Sequence, residues 1–190
     1  KGCRQAGVPC LSVLDPIVGA LGAYLGAEVK ARPGGQHVMD AEYFSRIEAI
    51  QFTLAHDDGQ SSRSLEQADV VLVGVSRTSK TPTCIYLANR GLKAANSPFV
   101  PDCPLPAELL TLKNPLIVGL TKDPKRLVQI RRNRLLLLDH DQDSDYVDPA
   151  KVAREVAEAR KLFDAQGWPV IDVTRRSIEE TAAGVIKLVN

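Results

Sequence analysis

Four consecutive aliphatic residues, Val70 to Val73, run into Gly74-Val-Ser-Arg-Thr-Ser-Lys-Thr81, and this junction constrains the fold more than any other stretch of the chain. A short, continuous apolar run bounded by glycine and polar residues reads as a strand buried on both faces, as in a parallel sheet. A helix is expected after it, from about Pro82 to Arg90, with Gly91 as the stop. A strand feeding a helix in this way matches a phosphate loop: glycine, four residues, glycine, lysine, then serine or threonine. Gly74, Lys80 and Thr81 fit, while Ser79 stands where the second glycine belongs. Such a loop meets phosphate with backbone N–H groups, a helix N-terminus, the lysine, and a hydroxyl on magnesium. Glycine at the position of Ser79 would keep a side chain away from the phosphates and allow backbone angles other residues avoid. The competing reading is an ordinary strand-to-helix turn with Lys80 in solvent and Thr81 capping the helix.

Elsewhere, helix and strand signals alternate. Asp15-Pro16 is expected to open a short helix that Gly26 ends, and Lys30 to His37 reads as a basic, glycine-rich loop. Asp40 can cap a helix carrying Tyr43, Phe44, Ile47, Ile50 and Leu54, although Ile50, Phe52 and Leu54 also alternate as a strand would. Either version delivers His56-Asp-Asp-Gly59 at its C-terminal end. An extended piece is expected around Ala95 to Val100, a strand at Leu116 to Leu120, and a basic helix from Asp123-Pro124 to Leu138. After the polar loop Asp139 to Asp145, Asp148-Pro149 opens a long helix that ends at Gly167, and Pro169 to Val173 reads as a strand. Ser177-Ile-Glu-Glu180 is a capping box for a terminal helix. Together these predict an α/β fold with a mainly parallel sheet flanked by helices.

Charge narrows the function. Lys and Arg total 24 against 23 for Asp and Glu among 190 residues, so nothing in the overall charge calls for nucleic acid or a membrane surface. No apolar run reaches the roughly 18 residues a membrane span needs. Cys3, Cys10, Cys84 and Cys103 lack the spacing of a zinc site or a disulfide scaffold and read as reduced thiols of a cytoplasmic protein. His37 and His140 have no second ligand at a recognisable spacing.

The segment Gly74 to Thr83, with Ile85-Tyr-Leu-Ala-Asn-Arg-Gly91, resembles the signature of the pyruvate, phosphate dikinase regulatory protein family, the bifunctional kinase-pyrophosphorylases. The likeness continues in order through Asp15-Pro16, Tyr43-Phe44, Arg46 to Ile50, His56-Asp-Asp-Gly59, Gly119-Leu-Thr121, Asp123-Pro124, Leu127 to Leu135, Tyr146-Val-Asp148 and Gly167 to Glu180. Members usually extend further at the N-terminus. The resemblance therefore implies that residues 1–38 are the end of a truncated N-terminal domain and that residues 39–190 form a P-loop kinase-like domain. It implies two opposed reactions: an ADP-dependent kinase that inactivates the dikinase by phosphorylating a threonine, and a phosphorylase that removes the group with inorganic phosphate, releasing pyrophosphate. The branch acting on the dikinase typically has Ser-Lys-Thr where the branch acting on phosphoenolpyruvate synthase has Gly-Lys-Thr, so Ser79 favours the dikinase as target. A homo-oligomer is compatible with the sequence.

With that resemblance, Gly74, Val75, Ser76, Arg77, Thr78, Ser79, Lys80 and Thr81 become the ADP-binding loop, and Lys80 and His56 join the catalytic candidates. A threonine hydroxyl attacking ADP needs a base, and Asp57 is expected in that role, with Asp58 beside Thr81 on the magnesium side. Without the resemblance, His56 to Gly59 reads as a polar turn. Arg131 and Arg134 share a helical face more nearly than Arg131 and Arg132 do, and a guanidinium fork suits a phosphoryl group or free phosphate. Asp172 and Thr174, at the end of a strand, resemble the place where nucleotide kinases hold adenine. A small-molecule kinase and a non-catalytic nucleotide sensor are the rival functional classes.

Overall fold

The computed structural model describes residues 7–9, 13–26, 41–59, 64–137 and 145–189. The chain divides into two compact units, Lys1–Val38 and Met39–Asn190. The first unit contains helix α1 (Asp15–Leu25), which ends on Gly26 in the left-handed region, where the Gly26 N–H donates to Gly22 O. Its N-cap falls on Leu14, so Asp15 is the first helical residue.

The second unit opens with α2 (Ala41–Ala55), which settles the choice between helix and strand at Ile50 to Leu54. The helix stacks Phe52 on His56 one turn later, with ring centroids 3.9 Å apart. It also brings Thr53 Oγ1 within 2.7 Å of Ala94 O, to which it donates. A strand would have sent Phe52 and Thr53 to opposite faces. Asp40, His37 and His140 lie outside the described residues, as does most of the expected loop 139–145.

Four parallel strands follow: β1 (Val70–Gly74), β2 (Ala94–Pro98), β3 (Leu116–Thr121) and β4 (Val170–Asp172), in the spatial order β2-β1-β3-β4. Between them run α3 (Lys80–Ala88), α4 (Ala107–Thr111), α5 (Pro124–Leu137) and α6 (Pro149–Gln166), and α7 (Ile178–Val189) closes the chain. Among the described residues, no helix is long and apolar enough to cross a membrane.

Strand alternation sorts the apolar residues into two layers. Val70 and Leu72 join Cys84, Leu87, Val118, Leu120, Ala182 and Val185 on the side of α3 and α7. Val71 and Val73 join Leu127, Val128, Val152, Val156 and Phe163 on the side of α5 and α6. Every residue of β1 is buried, which is why its sequence is a continuous apolar run. Each such side chain contributes about 1.5–3 kcal/mol on burial. Gly119 is needed on the second face, since a Cβ there would lie 2.4 Å from the Phe163 ring.

The helix ends follow the sequence signals. Asp148 caps α6 by accepting from Ala150 N at 2.7 Å and Lys151 N at 3.1 Å. The capping box before α7 is closed from both sides, Ser177 N to Glu180 Oε2 at 2.8 Å and Glu180 N to Ser177 Oγ at 3.1 Å. Several boundaries differ from expectation by one or two residues: α3 ends at Ala88, β3 runs on to Thr121, and β4 is only Val170–Asp172. The extended segment is Ala94–Pro98, and α3 starts two residues early, at Lys80. Pro82 is tolerated in that first turn because its missing N–H would have had no helical partner there.

Candidate active site

The loop between β1 and α3 leaves the sheet at the C-terminal end of its innermost run. Gly74 is required there, because a Cβ would meet Leu120 O at 2.6 Å and Thr78 Oγ1 at 2.9 Å. Arg77 and Ser79 both have positive φ, 71° and 64°. Left-handed residues alternating with right-handed ones bend successive amides into an anion-binding nest. Ser79 therefore adopts the backbone conformation that glycine supplies at no cost in the usual pattern.

The loop's carbonyls are held by side chains. Thr78 Oγ1 donates to Val75 O at 2.9 Å, and Lys80 Nζ donates to the same oxygen at 3.1 Å. Lys80 is only 6% exposed. Burial pushes its pKa down to about 8, against the opposing pull of Asp58 and, more weakly, Asp57. Burial also pushes the neighbouring Cys84 thiol up, which keeps it protonated and unreactive.

At the start of α3, Thr81 Oγ1 donates to Asp57 Oδ1 at 2.8 Å. Asn96, buried in β2, donates to the same carboxylate oxygen and accepts from Asp58 N at 3.1 Å. Asp58 is expected beside Thr81 on the magnesium side; the carboxylate that bonds Thr81 in the structure is that of Asp57. The reason is the backbone at Asp58, which turns into the left-handed region (φ 48°) and separates the two acids. Asp58 lines a recess of about 590 Å³ with Ser76, Arg77, Ser79, Lys80, Thr81 and Lys122.

His56 does not face this recess. Its Nδ1 lies 2.7 Å from Phe52 O, a group that can only accept, so Nδ1 carries the proton and Nε2 accepts from Ser64 Oγ at 2.5 Å. The ring is buried and stacked on Phe52, and its own backbone carbonyl receives Asn96 N at 3.3 Å. His56 anchors the turn that presents Asp57 and Asp58.

The two arginines separate. Arg131 is 2% exposed and forms a two-pronged ion pair with Glu155, at 2.7 and 2.9 Å. It also donates to Ser76 O at 3.2 Å and Tyr146 O at 3.2 Å, with its guanidinium 4.5 Å from the Tyr146 ring centroid. The Tyr146 hydroxyl bonds Ser76 Oγ at 3.1 Å and accepts from Arg77 Nε at 3.4 Å. Arg131 therefore braces the loop from behind, while Arg134 is exposed and takes no part. The partly buried Glu155 pairs with Arg131 and turns it inward, away from the surface that Arg134 occupies.

Asp172 and Thr174 bond each other: Asp172 Oδ1 accepts Thr174 N at 2.8 Å and Thr174 Oγ1 at 2.5 Å. Burial opposes ionisation of Asp172, but these bonds and the nearby Arg160 and Arg176 hold its carboxyl below the usual value. Thr174 Oγ1 also accepts from Asp123 N at 2.8 Å, tying the end of β4 to the start of α5. Beside this tie lies a cleft of about 680 Å³ formed by Asp123, Lys125, Arg126, Gln129, Thr174 and Arg175.

Sequence reasoning missed Asn96, Lys122, Tyr146 and Glu155. Asn96 left one signal, a polar residue in the middle of a strand otherwise made of small and apolar residues. Glu155 left none, since it reads as an ordinary charge on an amphipathic helix.

Fold and site together define a parallel α/β protein with a buried lysine and a hydroxyl–carboxylate pair at the loop after its inner strand. A profile of the kinase/pyrophosphorylase family matches residues 1–186, and the chain belongs to that family. A relative from Caulobacter vibrioides is 59% identical over 190 residues, covering all of this chain and 60% of its own length. One from Paramagnetospirillum magneticum is 60% identical over 188 residues, covering 99% and 60%. One from Sphingopyxis alaskensis is 61% identical over 189 residues, covering 100% and 70%. All three carry the provisional name pyruvate, phosphate dikinase regulatory protein. The chain spans 60% of the length of the first two.

Proposed function

We propose that this chain carries the nucleotide site of a cytoplasmic bifunctional protein kinase and phosphorylase. In one direction ADP gives its β-phosphoryl group to a threonine of pyruvate, phosphate dikinase and inactivates it. In the other, inorganic phosphate removes that group as pyrophosphate and restores activity. The observation that carries this reading is the Gly74–Thr81 loop, bent by alternate positive φ angles around the buried Lys80 with Thr81 against Asp57, in a member of the kinase/pyrophosphorylase family.

In the kinase direction the threonine oxygen attacks the β-phosphorus, the bond from that phosphorus to the bridging oxygen breaks, and AMP departs. Asp58 takes the threonine proton, because it lines the recess beside Lys80 while Asp57 is engaged by Thr81 and Asn96. In the reverse direction an oxygen of inorganic phosphate attacks phosphothreonine, and protonated Asp58 returns the proton to the leaving threonine oxygen. Lys80 and the loop amides stabilise the charge spread over the transferred group.

Thr81 and Asp57 fit magnesium: a hydroxyl and a carboxylate in contact are the hard oxygen donors this ion takes alongside phosphate oxygens. When bound, the ion neutralises phosphate charge. Asn96 keeps Asp57 turned to Thr81 for that purpose. The cleft beside Thr174 and Asp123 suits the adenine end of ADP, at the strand C-termini where ligands of such sheets gather.

The test is phosphoryl transfer from ADP labelled at its β-phosphorus to purified dikinase, followed by addition of inorganic phosphate. Label should enter the dikinase with release of AMP, then leave as pyrophosphate. Phosphoenolpyruvate synthase run in parallel tests the other target. ADP consumption with a small acceptor and no protein partner would establish a small-molecule kinase instead. Altered dikinase activity without label transfer would establish a sensor.

A further inference from the structure

β3 ends at Thr121, and Lys122 follows it just before the helix-opening Asp123-Pro124. The register of the parallel sheet sets Leu120 beside Gly74, so the two residues after Leu120 run alongside the loop that follows Gly74. Lys122 uses that position to reach across the strand gap and donate to Arg77 O at 3.2 Å. It lines the same recess as Lys80, Arg77 and Asp58.

Lys122 is 6% exposed and forms no ion pair among the described residues. An ammonium group has three hydrogens to donate, and Arg77 O accepts one. A charge buried without a partner is costly, and Arg126 nearby adds like-charge repulsion that Asp172 only partly offsets. That cost is recovered where a ligand brings the missing negative charge. The recess supplies three cations, Lys80, Lys122 and Arg77, against the single carboxylate of Asp58.

We propose that Lys122 is a second phosphate-binding cation of this site, holding with Lys80 the terminal phosphate of ADP or of pyrophosphate. The inference rests on the nucleotide reading given above and assigns it a residue that no sequence motif marks. The two lysines hold different loop carbonyls, Lys80 that of Val75 and Lys122 that of Arg77, so they grip the loop at two points. Thr81 at the start of α3, with Asp57 and Asn96 bonded against it, provides the magnesium end. A phosphate between the two ammonium groups is the one that a threonine oxygen reaches from the recess, with Asp58 on its wall. Lys122 thus belongs to the phosphate shared by both directions, and the nucleoside end does not depend on it.

Calorimetric titration of the full chain with ADP, pyrophosphate and AMP tests this on the wild type, Lys122→Gln and Lys122→Arg. Glutamine keeps an N–H donor that can hold Arg77 O but removes the charge. Lys122→Gln should bind ADP and pyrophosphate about 10- to 100-fold more weakly, the loss of one charge-assisted hydrogen bond, while AMP binding is unchanged. Lys122→Arg should recover most of the loss. If Lys122→Gln binds ADP like the wild type, Lys122 only supports the loop and the proposal is overturned while the nucleotide reading stands. An equal fall for AMP overturns it too, by showing a general distortion of the loop. A wild type that binds neither ADP nor pyrophosphate removes both readings together.

Discussion

Replacing Lys80 with methionine should make the ligand-free protein more stable. The ammonium is almost wholly buried, and burial lowers its pKa from 10.5 to about 8. At about 1.4 kcal/mol per pH unit, holding that charge in the fold costs about 3 kcal/mol near neutral pH. Methionine fills similar space without the charge. It gives up the bond to Val75 O, worth about 1 kcal/mol, but that carbonyl keeps the Thr78 hydroxyl. The net expectation at pH 7 is a gain of about 2 kcal/mol. The sign with pH follows from proton counts. Between about pH 8 and 10.5 the unfolded chain holds this proton more often than the folded one, so wild-type stability rises with pH across that window. Below it the cost is fully present, and above it the cost is gone. Urea unfolding of both proteins from pH 7 to pH 10.5 should therefore show the advantage of Lys80→Met shrinking as pH rises. ADP should stabilise the wild type and leave the variant almost unmoved, and wild-type binding at pH 8 should take up about half a proton. A variant less stable than wild type at pH 7, or an advantage that does not change with pH, refutes the reasoning.

Ser79→Gly should raise stability by about 1 kcal/mol, because Ser79 sits at φ 64° where glycine carries no penalty; a lower urea midpoint would contradict this. Glu155→Gln should cost about 3 kcal/mol, since it leaves the 2% exposed Arg131 without its counter-charge, and should weaken ADP binding through the Ser76 and Tyr146 contacts. Denaturation and calorimetry read the two effects, and a loss of stability with intact ADP affinity would detach Arg131 from the loop. Asp58→Asn should slow kinase turnover about 100- to 10,000-fold with ADP affinity retained, whereas Asp57→Asn should chiefly weaken magnesium-dependent ADP binding. Initial rates and magnesium titrations distinguish them, and the reverse pattern would return Asp57 to the role of base.

The parts of this fold that depend on near neighbours in sequence could be read without coordinates. Asp148-Pro149 and Ser177 to Glu180 were legible as helix starts because the groups that satisfy each lie within four residues, and Val70 to Val73 was legible as a strand because burial on both faces leaves a continuous apolar run. The site depends on partners far apart. Asp57 and Thr81 are 24 residues apart, and Asn96 lies 39 from Asp57. Which of two adjacent acids meets Thr81 is decided by a single left-handed residue, Asp58, whose conformation Asn96 helps fix by accepting its N–H. Aspartate tolerates that conformation better than most residues, so the pair Asp57-Asp58 permits the turn without requiring it. The arginines show the same limit. Helical spacing puts Arg131 and Arg134 on neighbouring directions, yet only Glu155 of α6, 24 residues beyond Arg131, draws one of them inward. A buried charge is placed by whatever neutralises it, and in a parallel α/β chain that partner lies on another crossover, beyond the reach of any local pattern.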